Sequence, residues 1–324
     1  MKIAIITNYF GKLPSYFQLW LDSCTTNTRF TWLFFSDCDF TPYVIPKNVQ
    51  IIQISFAELK KRLQSNFSYS IRYDRSWDLC AFRPTFGTIF KKELEGYDFW
   101  GYCDSDLVFG NLNTLVPENL LNVYDKIFPN GHLSLVRNTQ EINNQIFSHP
   151  LVEKAISINE DGLPCFDEVG FKKEICPQIG IRQFNDIPYM NPKCRAGHFV
   201  LEECYALSSI LGTNPTQSFP NVYTWHNGTL IGYFVLNNQV KTCEIAYCHF
   251  FRRKMDASTQ HLQPNNHYLI IPNKIIPYDG HPLTIKEINH FNRPKIHWSY
   301  FKTRLTPSFI INKLKFYIKK LYSC

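Results

Sequence analysis

The sequence predicts an α/β protein built on a mixed, mainly parallel sheet with helices on both faces. Three observations predict it. Apolar runs of strand length alternate with segments of helical periodicity over the first hundred residues. The chain opens on such a run, Lys2 to Thr7, which passes into a polar turn. A later run, Asp98 to Tyr102, leads into two carboxylates one residue apart, Asp104 and Asp106. An open α/β sheet keeps its ligands at the carboxyl ends of its strands, and Asp is disfavoured inside one.

Lys2 to Thr7 reads as the first strand, and Asn8 to Pro14 as the loop after it. Ser15 to Cys24 carries Phe17, Trp20 and Leu21 at helical spacing. Phe30 to Phe35 is a second strand ending at Ser36 and Asp37, and Val49 to Ile54 a third. Ser55 with Glu58 three residues on is a capping box, which opens a helix from Phe56 to Leu63. Asp78 to Phe90 reads as a further helix, and Pro84 inside it moves the first turn to near Arg83.

Beyond residue 110 the pattern loosens. Gly131 to Val136 reads as a strand, and Asn138 to Pro192 as helices and loops. Asn221 to Val240 holds a hairpin: Val222 to Trp225, the turn His226-Asn227-Gly228, then Thr229 to Val235. Ile245 to Phe251 is a late strand that runs into Arg252, Arg253 and Lys254. One domain is expected over residues 1–300, with halves of about 1–112 and 113–300, and a basic tail over 301–324. From Phe309 to Tyr322 apolar residues and lysines recur at roughly helical spacing. Such a helix lies on an anionic membrane surface or packs on the domain with its lysines in water.

A hydrophobic fraction of 44% against 19% charged residues excludes a disordered chain. The 11 cysteines are odd in number and form no Cys-X-X-Cys pair, which gives a zinc finger or a disulfide framework no support. Reduced thiols in a cytoplasmic protein are the expectation. The N-terminus lacks the pattern of a signal peptide, and no apolar run reaches the roughly 18 residues of a membrane span. The net charge of +7 suits anionic lipid or phosphorylated substrates; no motif for nucleic acid accompanies it.

Asp104-Ser105-Asp106 supplies two hard oxygen ligands, which suit Mg²⁺ or Mn²⁺ shared with substrate phosphates. The same tripeptide also arises as an acidic turn. A third ligand is available at His249, which ends a strand; its imidazole favours manganese, though a packed histidine is the ordinary reading of such a residue. Arg252, Arg253 and Lys254, just beyond, carry charge that suits a diphosphate leaving group.

Several short motifs run in order along the chain: Tyr9 to Pro14, Ser36-Asp37, Leu79-Cys80 with Phe82-Arg83-Pro84, and Trp100 to Asp106. Phe166-Asp167-Glu168, Gly197-His198-Phe199, Trp225 to Gly228, His249-Phe250 and Arg253-Lys254-Met255 follow. In these the chain resembles a bacterial family of glycosyltransferases associated with capsule and lipopolysaccharide synthesis. That family is similar to the retaining galactosyl- and glucosyltransferases of the GT-A fold. The resemblance implies transfer of a sugar, galactose or glucose, from a UDP-sugar to a glycan or lipid-linked acceptor, and the basic tail would hold such an enzyme at the inner face of the membrane. It makes the second half of the chain the acceptor-side lobe. It implies that Asp104, Asp106 and His249 hold Mn²⁺ with the donor diphosphate.

Under that resemblance Thr7, Tyr9 and Gly11 border the nucleotide, with Tyr9 either stacked on uracil or packed on the next helix. Asp37 accepts hydrogen bonds from base or ribose, or caps a turn. Arg83 contacts the donor phosphate or sugar, or is an ordinary surface arginine; Ser105 and Lys254 join the donor contacts. Asp167 and Glu168 face the acceptor as positioning group or general base, or cap a turn; the residues leave retention and inversion both open. His198 lines a pocket or sits in the core. The chain departs from the pattern at Asp78 and Ala81, where relatives carry Lys and Asp. Two other readings of the Asp pair stand beside this one: a metal-dependent nucleotidyl or phosphoryl transferase, which here lacks a Gly-rich phosphate loop, and a non-catalytic glycan-binding protein.

Overall fold

The computed structural model describes residues 1–192, 199, 205–214, 219–251, 255–257 and 267–292. His198, Arg252, Arg253, Lys254 and the 301–324 tail lie outside the described residues. The first half builds β1 (Ile3–Tyr9), β2 (Phe30–Ser36), β3 (Val49–Gln53), β4 (Phe99–Cys103), β5 (Leu107–Phe109), β6 (Lys126–Ile127), β7 (Leu133–Arg137) and β8 (Gln183–Phe184). Seven of these form one sheet in the order β3-β2-β1-β4-β7-β6-β8. β3, β2, β1 and β4 run parallel, β7 runs antiparallel to β4, and β6 is parallel to β8. The mixed, mainly parallel α/β sheet read from the sequence is therefore present.

Alternation along the strands sorts the core into two layers. Ile3 and Ile5 of β1, Phe30, Trp32 and Phe34 of β2, and Phe99 of β4 face one side. Ala4, Ile6, Leu33, Phe35, Trp100 and Tyr102 face the other. The second side is covered by helices. Among them is α2 (Phe56–Gln64), which Ser55 opens with the expected capping box and which buries Leu59 and Leu63. The first side is covered by α1 (Phe17–Thr25), whose Phe17, Leu19, Trp20 and Leu21 are buried. Phe17 and Trp20 stack with ring centroids 5.4 Å apart.

Beside α1 on that first side lies a feature absent from the sequence reading, a second and largely antiparallel sheet. Its strands are β9 (Asn221–His226), β10 (Thr229–Leu236), β11 (Gln239–Glu244), β13 (Asp256–Ala257), β14 (His267–Ile271) and β15 (Lys274–Pro277). They run in the order β11-β10-β9-β14-β15-β13. The predicted hairpin is its β9–β10 arm. Asn227 and Gly228 both take positive φ, 47° and 86°, as a two-residue turn matched to strand twist requires. The remaining strand, β12 (Tyr247–His249), leaves this sheet to pair antiparallel with β5.

The expected helix from Asp78 to Phe90 takes another form. Ser76–Thr85 is a 3-10 helix, followed by a single α-turn at Phe86–Ile89. Pro84 has no N–H to donate, and Asp78 caps the start by accepting from the Asp74 and Arg75 amides at 3.1 and 2.9 Å. Between Asn138 and Pro192 the structure has helices at Gln140–Phe147 and Pro150–Ile156 and a π-helix at Phe166–Ile175. None of the eight described cysteines is joined in a disulfide among the described residues. Among the described residues no helix is long and apolar enough to cross a membrane.

Candidate metal and donor site

A cleft of about 1580 Å³ opens past the C-terminal ends of β1 and β4. Asp104, Ser105 and Asp106 fill the turn between β4 and β5, which puts both carboxylates at its edge. Strand pairing supplies the third group. β12 lies against β5 with His249 opposite Leu107, and the Phe250 amide donates to the Asp106 carbonyl at 2.9 Å. His249 Nε2 stands 3.6 Å from Asp104 Oδ2 and 3.4 Å from Asp106 Oδ1. One ligand atom from each of the three residues lies within 4.8 Å of the others.

The imidazole is oriented from behind. Its Nδ1 is 2.9 Å from Asn191 Oδ1, an acceptor, so that nitrogen carries the hydrogen and Nε2 is left to face the carboxylates. Asn191 is itself held in place by its neighbour, since Met190 bridges to Cys248 and its carbonyl accepts the His249 amide at 2.9 Å. His132 lies flat on His249, with centroids 4.5 Å apart and planes 24° apart. Burial, and then the neighbouring His249, hold His132 well below the usual imidazole range. For His249 burial also works against the charged form, but the Asp106 charge and contact, with Asp104 behind them, raise its pKa.

Arg83 reaches the same place from the 3-10 helix. One guanidinium nitrogen donates to Asp104 Oδ1; the other donates to the Gly131 carbonyl at 2.8 Å and to Asp167 Oδ2 at 3.0 Å. Burial disfavours its charge, yet Asp104 and Asp167 hold it firmly protonated. Asp167, almost fully buried, is pushed up to about 6 by desolvation, against the pull of Arg83. Glu168 Oε1 accepts the Gly131 amide at 3.0 Å. Gly131 has to lack a side chain, because a Cβ there would collide with the Asp167 carboxylate.

The structure thus brings Arg83, Asp104, Ser105, Asp106, Asp167, Glu168 and His249 to one cleft. Tyr9 lines it too; its hydroxyl donates to the Lys12 carbonyl at 2.6 Å, and burial raises its pKa. Thr7 does not line the cleft: it is buried, with its hydroxyl 3.0 Å from the Cys103 thiol. Gly11 forms an exposed turn at φ 117°, its carbonyl accepting from Cys38 at 2.8 Å. Asp37 is exposed just past β2 and is not among the lining residues. His132, Gly131 and Asn191 were not read from the sequence. They arrive through β7 and a single bridge, pairings between segments far apart in the chain.

The donor set fits a divalent cation. Two carboxylates and an imidazole with a fixed tautomer can converge on one ion, a set suited to Mn²⁺ or Mg²⁺ with open positions for substrate oxygens.

A model of the family described as "Family of unknown function (DUF6625)" matches residues 5–279. No curated protein matches the chain. Similar solved structures include the glycosyltransferase GlyE of Streptococcus pneumoniae TIGR4, at 13% identity and a TM-score of 0.34, over 57% of this chain and 45% of that one. A glycosyltransferase involved in the glycosylation of the major capsid of PBCV-1 matches at 11% identity and a TM-score of 0.33, over 57% of this chain and 81% of that one. An active-site mutant of LgtC matches at 9% identity and a TM-score of 0.27, over 47% of this chain and 61% of that one. The chain thus spans under half the length of GlyE and under two thirds of LgtC.

Proposed function

The chain belongs to the DUF6625 family, and we propose that this member is a metal-dependent glycosyltransferase of the GT-A kind. It moves a sugar, galactose or glucose, from a UDP-sugar to a glycan acceptor in surface polysaccharide synthesis. The observation that carries the reading is the convergence of Asp104, Asp106 and His249 at the edge of a large cleft past the strand ends.

The chain's own groups divide the work. Asp104, Asp106 and His249 would hold the cation, with Asn191 Oδ1 behind the imidazole at Nδ1 to orient it. A cation held there would supply the neutralisation of charge on a departing diphosphate, the electrostatic contribution expected to dominate such a transfer. Arg83 adds a buried, permanently charged guanidinium beside the ion site and ties Asp104 to Asp167. Asp167 and Glu168 lie across Arg83 from the triad, where they position the acceptor hydroxyl or take its proton. Tyr9 offers its ring to the base.

The test is a panel of UDP-, GDP-, CMP- and dTDP-sugars with and without Mn²⁺. Thermal shift reads binding, since a donor that binds only the folded protein raises Tm by mass action. Hydrolysis and transfer are read in parallel. Cleavage of a UDP-sugar that needs Mn²⁺ and vanishes in Asp106→Ala is the expected result. Turnover of a nucleoside triphosphate instead, or glycan binding with no turnover, overturns it.

A further inference from the structure

Two walls of the cleft carry groups that the triad and Arg83 leave unused. One belongs to the 3-10 helix at Ser76–Thr85. Trp77 in its first turn lines the cleft and is 52% exposed, a large flat ring facing water. The Arg75 guanidinium lies 4.8 Å from that ring's centroid, and its charge is answered by Asp78 at 3.0 Å. The other wall is the π-helix Phe166–Ile175, which packs against the first. Its first turn gives Asp167 and Glu168 to Arg83 and Gly131. About one turn further on, Lys172 and Lys173 also line the cleft.

Neither lysine forms an ion pair among the described residues. Arg75 and Arg83 both do, so the arginines of the cleft are held in direct ion pairs and the two lysines are not. Lys172 is half-buried, its carbonyl fixed by the Gln183 amide at 3.0 Å. Burial, then repulsion from Lys173, hold its pKa below the usual ammonium range against a weaker attraction from Glu168. Adjacent like charges in a cleft, one of them partly desolvated, repel each other and draw in an anion. The donor diphosphate already has a cation and Arg83 to answer it, and these stand at the other end of the π-helix.

We propose that the acceptor is an acidic glycan: its carboxylate or phosphate ester lies against Lys172 and Lys173, and a neighbouring sugar ring stacks on Trp77. The inference rests on the glycosyltransferase reading and extends it to the class of acceptor. An apolar sugar face on an exposed indole supplies contact area with little ordering cost. The lysine pair then supplies selection between charged and neutral acceptors.

The experiment measures transfer from the active UDP-sugar, with Mn²⁺, to three matched acceptors: a hexose glycoside, a hexuronic acid glycoside and a hexose 6-phosphate glycoside. Expected is a kcat/KM at least tenfold higher for one or both acidic acceptors, and whichever is favoured identifies the anion. In the Lys172→Gln/Lys173→Gln double variant the acidic-to-neutral ratio should collapse towards one. Trp77→Ala should raise KM for acidic and neutral acceptors alike. The ratio is used because losses in folding or donor handling cancel from it. A wild-type ratio near one overturns the inference. So does a ratio that survives in the double variant while the donor KM rises, which would give the lysines to the diphosphate. If the wild-type protein cleaves no nucleotide sugar at all, it is the preceding functional reading that fails.

Discussion

Asn191 sets the working face of His249. The 2.9 Å contact from Asn191 Oδ1 to Nδ1 turns Nε2 toward Asp104 and Asp106. Partners behind a metal-bound histidine are worth about 10–100-fold in affinity. Asn191→Leu keeps much of the volume and removes the acceptor. Mn²⁺ affinity by titration calorimetry should fall by that factor with Tm in metal-free buffer little changed. Unaltered Mn²⁺ binding would remove Asn191 from the site.

Under the proposed function, proton and metal would compete for the same nitrogen. The carboxylates raise the His249 pKa in the ion-free protein, so the imidazole holds its proton to higher pH than a free histidine. A metal ion needs that proton gone. Mn²⁺ affinity should therefore be level at high pH and weaken about tenfold per unit once pH falls below that raised pKa. Calorimetry at a series of pH values between 8 and 5.5 measures this; a flat profile contradicts it.

Gly131 is a position of close approach. A methyl group there would press on the Asp167 carboxylate, which is bonded to Arg83. Gly131→Ala should displace Asp167 or Arg83 and cut sugar-donor cleavage by about a hundredfold, the scale of a 1 Å misplacement near reacting groups. The Mn²⁺ affinity should fall much less than turnover, because the change reaches the three ligands only through the contact of Arg83 with Asp104. Wild-type turnover in Gly131→Ala would show that this contact is idle.

Asp125 is a stability element remote from the chemistry. It accepts from Arg137 Nε at 2.8 Å and from Arg182 Nε at 3.0 Å. Burial alone would raise its pKa, but the hydrogen bonds from Arg182 and Arg137 bring it down to about 2 from the model-peptide value of 3.8. A folded-state value below the unfolded one stabilises at neutral pH, by at most about 2 kcal/mol and by less where solvent screens the exposed Arg182. That stability is complete above roughly pH 4 and is lost as pH falls from there toward 2. Denaturant unfolding of Asp125→Asn should show the deficit at pH 7 and converge on wild type near pH 2. Parallel curves at all pH values would assign the loss to packing.

The parallel half of the fold was legible because its signals are local. Ser55 with Glu58 announces α2 within four residues, and the apolar run before Asp104 marks a buried strand end. His249 was legible because it closes such a run. His132 and Asn191 were not, since β7 meets β4 antiparallel and Met190 meets Cys248 through one bridge. Nothing in the residues themselves encodes those pairings. The second sheet stayed hidden for a related reason: only its β9–β10 arm has a tight turn with an Asn-Gly signature. Pro84 was read as the start of a helix, but the Asp78 cap begins it earlier and in a tighter winding.

The short β5–β12 ladder has a consequence for how the protein comes into being. It is the seam that carries His249 to the carboxylates, and its two strands come from opposite halves of the chain. A nascent polypeptide emerging from the ribosome exposes Asp104 and Asp106 long before their partner has been synthesised. An ion bound at this triad would be captured only late, once that seam has closed, and its arrival would report that the two halves have found each other.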